Sequence, residues 1–411
     1  MTKAALRSVK EIEKTGFEYF MNFSNFDEKT SGYGLTPDHT NNLEVASIAA
    51  TGFHLSSYVI GVENFYISFS DAKYKIIKIL ETLYLSVDHY KGFFAHFVDT
   101  KTGKRHKKSE YSTIDTALAL NGVMTVSSYF GDDRITELSN LIINRVDWAF
   151  LIYDMAGKKM LHMAYNPDKD GDYANGKPGF IHHWSMFAEQ LMMYVLIASS
   201  HVDNETAKAL YDNFDRVKGS YKGHEYFHSP GNSLFIYQFP QAWLNLKNIK
   251  DDAGICWYDN AVSATLGHRA FCIKHQNQYK TFSKRSFGLS ASDSPKGYRV
   301  FHAIPSVNDK YETDGTISPH AMIGSLPLTP KESLAGIKYM RRIPGLWQKY
   351  GFMDAYNQED GLWISSRYIS IDKGLETLMA NAFLTNTIRN AYMSHPLIIK
   401  GMEVLKWQKI G

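Results

Sequence analysis

Apolar residues return every three or four positions along most of this chain, the spacing of a helix with one buried face. That spacing predicts helices at about 4–22, 41–60, 70–86, 112–130, 133–150, 183–200, 204–217, 258–275, 319–326, 330–341 and 372–394. Segments 133–150 and 330–341 keep a polar stripe, whereas 112–130, 183–200 and 372–394 are apolar on nearly every side. A helix without a polar face must be enclosed by others. Closing helical hairpins into a ring meets that need, with apolar helices inside and amphipathic ones outside. Local signals fix several ends. Thr329-Pro330-Lys331-Glu332 reads as a capping box with proline first in the helix, and Ser112 to Asp115 as its variant with Asp in third position. Pro319 opens a short helix that Pro327 follows. Strand signals are confined to Phe93–Asp99, leading into TKTGKRH, and to Gly288–Ala303, each read as a short hairpin. No low-complexity segment or glycine-serine linker interrupts the pattern, so residues 1–411 are expected to form one domain.

A ring directs attention to three acids near the predicted starts of apolar helices: Asp115, Glu189 and Asp372. If the inner helices run one way, their N-termini meet at one end and these acids become neighbours. Each has a structural alternative. First-turn acids offset the helix dipole and bind free N–H groups, so Asp372 also reads as an N-cap and Asp115 as the partner of Ser112. Glu189 is expected about a turn inside its helix, among Trp184, Phe187, Leu191 and Met192. Desolvation there would raise its pKa, which suits a general acid near neutral pH. Glycoside hydrolysis commonly needs two carboxyl groups, one protonating the leaving oxygen and one activating water or attacking directly.

Composition narrows the partners. Aromatic residues make up 14% of the chain, which fits either a large core or a site that stacks on sugar rings. A formal charge of +3 without a basic run leaves no nucleic-acid footprint. Cys256 and Cys272 match no zinc or disulfide pattern and are expected to be buried thiols. The start of the chain lacks a signal peptide, so the protein as written is expected in the cytoplasm; an exported protein with its leader trimmed would read the same. The apolar run Leu191–Ala198 is too short to span a bilayer, and no membrane partner is expected. DKDGDY, Asp168–Tyr173, opens like a calcium loop. Tyr173 and Gly179 stand where that loop needs Gly and Glu, so a solvated acidic loop is expected. His182 and His183 are adjacent and cannot form a helical metal pair. Phosphate-binding glycine motifs are absent. The expectation is a monomer without metal or cofactor.

Several blocks, in order, carry a resemblance. They are GFFAHFVDTKTGKRHKKSEYSTIDTALAL from Gly92, RVDWAF from Arg145, the run Trp184 to Leu191, YQFPQAWLNLKNI from Tyr237 and FGLSASDSPKGY from Phe287. DGTISPHAMIGSLPLTPKESLAGIKYM from Asp314, LWQKYGFMDAYN from Leu346 and IDKG from Ile371 complete them. Together they resemble the glycoamylase-like family that includes bacterial β-1,2-glucanases, glycoside hydrolase family 144. The resemblance runs from about Val9 to the C-terminus. It implies an all-α fold, an (α/α)6 barrel with a few short β-hairpins, and inverting hydrolysis of β-1,2-glucan or its oligosaccharides, endo or exo. It implies roles for Asp115, Glu189 and Asp372, and sugar contacts for Glu110, Asp314 and Asp354. His320 stands where the family has tyrosine, and HHWSMFAEQL replaces the family's WDGYSEAML. On this reading Glu189 is the proton donor and Asp372 the base. Asp115 holds a sugar hydroxyl or exchanges roles with one of them. Trp184 and Trp243 wall the substrate, with His320 beside it. Transglycosylation, glycan binding without catalysis, and a lyase reaction remain alternatives at this stage.

Overall fold

The computed structural model describes residues 2–169 and 177–410. Six helical hairpins form the expected ring. Outer and inner helices alternate: α1 (Lys3–Phe23) with α2 (Ile48–Glu63), α3 (Phe69–Leu85) with α4 (Thr113–Phe130), and α5 (Asp133–Asn144) with α6 (Leu191–Ser199). They continue as α7 (Asn204–Asn213) with α8 (Phe235–Trp243), α9 (Trp257–Lys274) with α10 (Pro319–Gly324), and α11 (Pro330–Met340) with α12 (Ser370–Leu384). The ring closes where α1 and α2 pack on α12. Inner helices α4 and α6 are buried on every side, as their lack of a polar face requires. Outer α5 buries only Ile135, Leu138, Ser139 and Ile142. The closest inner pair, α2 and α4, meets at Gly52 and Gly122, where an added methyl group would strike the opposite backbone.

Two further helices, α13 (Thr387–Met393) and α14 (Pro396–Val404), follow the ring. Helix α13 packs on α2, α4, α8 and α12. Its Tyr392 hydroxyl donates to Asn121 Oδ1 at 2.7 Å, and Arg389 Nε to the Gln241 carbonyl at 2.6 Å. This plug occupies the end at which the inner helices finish, leaving the end at which they start for the site.

Several boundaries differ from expectation. Residues Asn42–Ser47 form a strand before α2 starts, with Ser47 as its N-cap. The segment expected at 372–394 divides at Asn386, whose φ is +61°. Residues 180–183 are a strand, so the helix expected from 183 begins only at Leu191. Thr329 makes no capping hydrogen bond to α11, whereas Ser112 does cap α4 by accepting from Asp115 N at 3.2 Å. Helices α8 and α14 were not anticipated, the first because Pro240 lies inside it. The hairpin within Gly288–Ala303 is present, pairing Ala291–Ser292 with Arg299–Val300. Cys256 and Cys272 are buried free thiols. Most of the acidic loop Asp168–Tyr173 lies outside the described residues; Asp168 itself pairs with Arg105 at 2.7 Å. Among the described residues no helix is long and apolar enough to cross a membrane.

Candidate functional site

A four-stranded sheet covers part of the ring's open end. Strand Lys158–Tyr165 is central and pairs with Ile152–Met155, Tyr111–Ser112 and Phe180–His183. Tyr111–Ser112 leads straight into α4 and so fixes Asp115 in that helix's first turn. Phe180–His183 leads toward Glu189, and the intervening segment is tied down. Phe187 N donates to Asp215 O at 3.0 Å, and Phe187 stacks on Trp257 with centroids 4.7 Å apart. Gln190 braces the turn, accepting from Ala188 N at 2.7 Å and donating to Met186 O at 2.9 Å. Glu189 therefore stands just before α6 rather than a turn inside it, since α6 starts only at Leu191. Burial, reinforced by the charge of Asp115, pushes its pKa up to about 7.

Asp115 does not serve as a reciprocal cap. Its Oδ1 lies 3.5 Å from His96 Nε2, while His96 Nδ1 sits 2.9 Å from Glu110 Oε1. Burial opposes a charge on this ring, but Asp115, Glu110 and Asp38 overcome it and raise the pKa to about 9. The hydrogen bond to His96 in turn lowers that of Glu110. An imidazolium thus ties the acids together. Its contribution to stability is complete below about pH 6.5 and is lost as pH rises through about 9. His96→Gln is expected to lower stability by about 2–3 kcal/mol near pH 6 and by almost nothing near pH 10. Denaturant titrations at the two pH values measure the difference.

The second group of acids gathers at α12. Asp372 lies in its first turn, but the N-cap residue is Ile369 and makes no side-chain cap. Asp372 instead meets Asp354, delivered by the loop between strands Gly351–Phe352 and Tyr356–Asn357. Asp354 Oδ1 and Asp372 Oδ2 are buried without a hydrogen-bond partner, and the two carboxyl groups bring oxygens within 4.8 Å of each other. Burial and this like-charged neighbour push Asp372 well up, and burial raises Asp354 to about 7. Such a pair holds one proton between its members around neutrality. Asp293 steadies it: its backbone N donates to Asp354 Oδ2 at 2.7 Å. Arg367 holds the Asp293 carboxylate through Nε at 2.9 Å and Nη2 at 2.7 Å. His320, on α10, places Nε2 3.5 Å from Asp372 Oδ1, and burial lowers its pKa to about 3, so its ring is neutral. Ligand atoms of His320, Asp354 and Asp372 all lie within 4.8 Å of one another, the one such group among the described residues.

The groups form one constellation. Asp38, on strand Pro37–His39, is close enough to Asp115 and His96 on one side and to Asp372 on the other for its charge to register at each. Asp115, Glu189 and Asp372 are thus gathered at the ring's open end, with Glu110, Asp354 and His320. The predicted walls are corrected. Trp243 is 0% exposed, ends α8 on the far side, packs on Phe53 and donates to Ser56 Oγ at 2.9 Å. It is core and cannot touch a sugar. Trp184 is buried too, its indole N–H donating to Thr113 Oγ1 at 3.1 Å beside Asp115's helix start. Asp314 turns its Oδ1 back on Thr316 N at 3.0 Å and so closes its own turn. Sequence reasoning passed over Asp38, His96, Asp293, Tyr298 and Arg367. Three of these sit in the quoted blocks, so the signal was the block rather than any pairing pattern.

Residues 181–396 match the sequence pattern of the glycoamylase family, described as "Putative glucoamylase". The chain belongs to that family. It is 24% identical over 427 aligned residues to an exo β-1,2-glucooligosaccharide sophorohydrolase (non-reducing end) of Parabacteroides distasonis. That alignment covers 96% of this chain and 57% of the relative, so the chain spans little more than half of that curated protein. Among solved structures, a "putative glucoamylase" from Bacteroides uniformis superposes with a TM-score of 0.86 at 26% identity, covering 100% of this chain and 99% of the other. The endo-β-1,2-glucanase of Chitinophaga pinensis, in complex with sophorotriose and glucose, gives 0.84 at 23% identity with 98% of both chains covered. The fold of this glycoamylase-family protein is accordingly the (α/α)6 toroid of those structures.

Proposed function

We propose that this glycoamylase-family protein is a glycoside hydrolase that cleaves β-1,2-linked glucan or its oligosaccharides with inversion at the anomeric carbon. One arrangement carries the reading: Glu189, whose pKa burial pushes up to about 7, and the close buried carboxyl groups of Asp354 and Asp372, which we read as sharing a proton, stand at one end of the ring. Glu189 gives its proton to the glycosidic oxygen as the C–O bond breaks and the bonding electrons pass to that oxygen. The pair accepts a proton from the water that attacks the anomeric carbon from the opposite face. The base is thus the pair rather than Asp372 acting by itself. Asp115 and Glu110, anchored by His96, hold sugar hydroxyls and sustain the high pKa of Glu189. This chemistry needs only the chain's own carboxyl groups. The sophorohydrolase and endo-glucanase names of the similar proteins support the β-1,2 linkage.

Incubation with linear β-1,2-glucan and, separately, with soluble starch tests the reading. Reducing ends are expected from the β-glucan, undiminished by EDTA, with the α-anomer released first. Product sizes separate endo from exo action. Release from starch alone would sink the linkage assignment, and inertness of the protein on every glucan would sink the enzyme reading.

A further inference from the structure

A tyrosine ring is ordinarily packed away or free on a convex surface, and Tyr298 is neither. It is 49% exposed, and the hairpin that pairs Ser292 with Arg299 sets it across from Asp293, whose backbone N–H holds Asp354; burial and the charges of Asp372, Asp354, Asp38 and Asp293 push its pKa far up. A ring open to water and so near buried acids is placed to meet a ligand that reaches them. The loop that carries it is fixed at both levels. Ser292 pairs with Arg299 across the hairpin. Inside the loop Ser294 Oγ donates to Gly297 O at 2.8 Å and accepts from Lys296 N at 3.1 Å. Gly297, at φ +95°, makes the reversal that sets Tyr298. At the foot of the loop, Asp293 grips Asp354 through its backbone and Arg367 through its carboxylate. The aromatic ring and the proton-sharing pair are therefore parts of one braced unit.

We propose that Tyr298 is a substrate-contact residue, its exposed ring stacking on a glucose unit at the pocket mouth and its hydroxyl donating to a sugar oxygen beside Asp354 and Asp372. The inference rests on the hydrolase reading above and adds a residue and a selectivity to it. The phenol keeps its proton at any working pH, so it is able to serve as a donor. The flat ring suits the C–H face of an equatorially substituted glucose. Four acids whose charges register at this tyrosine also exclude a negatively charged sugar, so the occupant is a neutral gluco-oligosaccharide rather than a uronic-acid one.

The test compares wild type, Tyr298→Ala and Tyr298→Phe on β-1,2-gluco-oligosaccharides. It adds calorimetric binding of the same sugars to Glu189→Gln with and without Tyr298→Ala. Tyr298→Ala is expected to raise KM and Kd about tenfold, whereas Tyr298→Phe, which keeps the ring, raises them about threefold at most. Melting temperatures stay at the parent value because the ring is half exposed. KM and Kd within about twofold of the parent for Tyr298→Ala, in an active wild-type background, would overturn the contact alone. A wild type that neither binds nor hydrolyses these sugars would overturn the hydrolase reading and this inference with it.

Discussion

Glu189→Gln is expected to slow the release of reducing ends by about 10²–10⁴-fold while leaving KM within about threefold. The amide keeps the size and hydrogen-bonding reach of the carboxyl group but has no proton to give. Loss confined to kcat is the mark of a group that acts in the transition state rather than in binding. The same substitution should stabilise the fold, and the sign follows from the pKa. Burial raises Glu189 from 4.5 to about 7, so the folded state binds more protons than the unfolded one between those values. Stability from this group is therefore complete below about pH 4.5 and is lost as pH rises through about 7. At pH 8 the wild type holds a charge in a site that disfavours it, and Glu189→Gln should be more stable by about 1–3 kcal/mol, with no gain at pH 4. Guanidinium titrations at the two pH values read the difference. A variant that is both fully active and no more stable at pH 8 would return Glu189 to a structural role.

The ring itself was legible because its inner helices have no polar side. That pattern allows few arrangements, and the order of amphipathic and apolar segments followed it closely. The same property hid the start of α6. In WSMFAEQLMMYVLIA nearly every position is apolar, so a strand, a turn and a helix all satisfy the pattern, and periodicity cannot mark where one gives way to the next. Glu189 stood out by its apolar neighbours and was expected about a turn inside its helix, whereas it stands just before α6.

The pairing of Asp354 with Asp372 was harder to read. Seventeen residues and a small hairpin separate them, and nothing local ties one to the other. Asp372 stood out by its helix start; Asp354 was drawn in only by the block around it. Asp293, which orients Asp354 with a backbone N–H, contributes through main chain, and a main-chain donor has no sequence signature. Trp243 failed in the opposite way. Its type suited a sugar wall, but a tryptophan at the closed end of an inner helix is needed as packing volume, and its position along α8 decided the matter.

Substitution within the pair should separate its two members by pH. In the wild type, kcat/KM is expected to follow a narrow bell centred near pH 7. The alkaline limb reflects loss of the proton from Glu189, and the acid limb reflects uptake of a second proton by the pair. Asp372→Asn removes the carboxyl group nearest His320 and is expected to lower kcat by about 10²–10⁴-fold across the whole range. Asp354→Asn behaves differently. Its side-chain oxygen still accepts the Asp293 N–H, so the loop stays in place, but Asp372 no longer faces a second negative charge. That repulsion governs only loss of the pair's last proton; the acid limb belongs to the first, which a protonated Asp354 favours by sharing its proton with the Asp372 carboxylate. In Asp354→Asn the acid limb should therefore move up while kcat falls about 10–100-fold, because the proton-accepting pair is cut to a single carboxylate. The alkaline limb, which belongs to Glu189, should not move. If Asp354→Asn left both the rate and the acid limb where they are in the wild type, the pair would not be the base, and Asp372 would have to act without its neighbour.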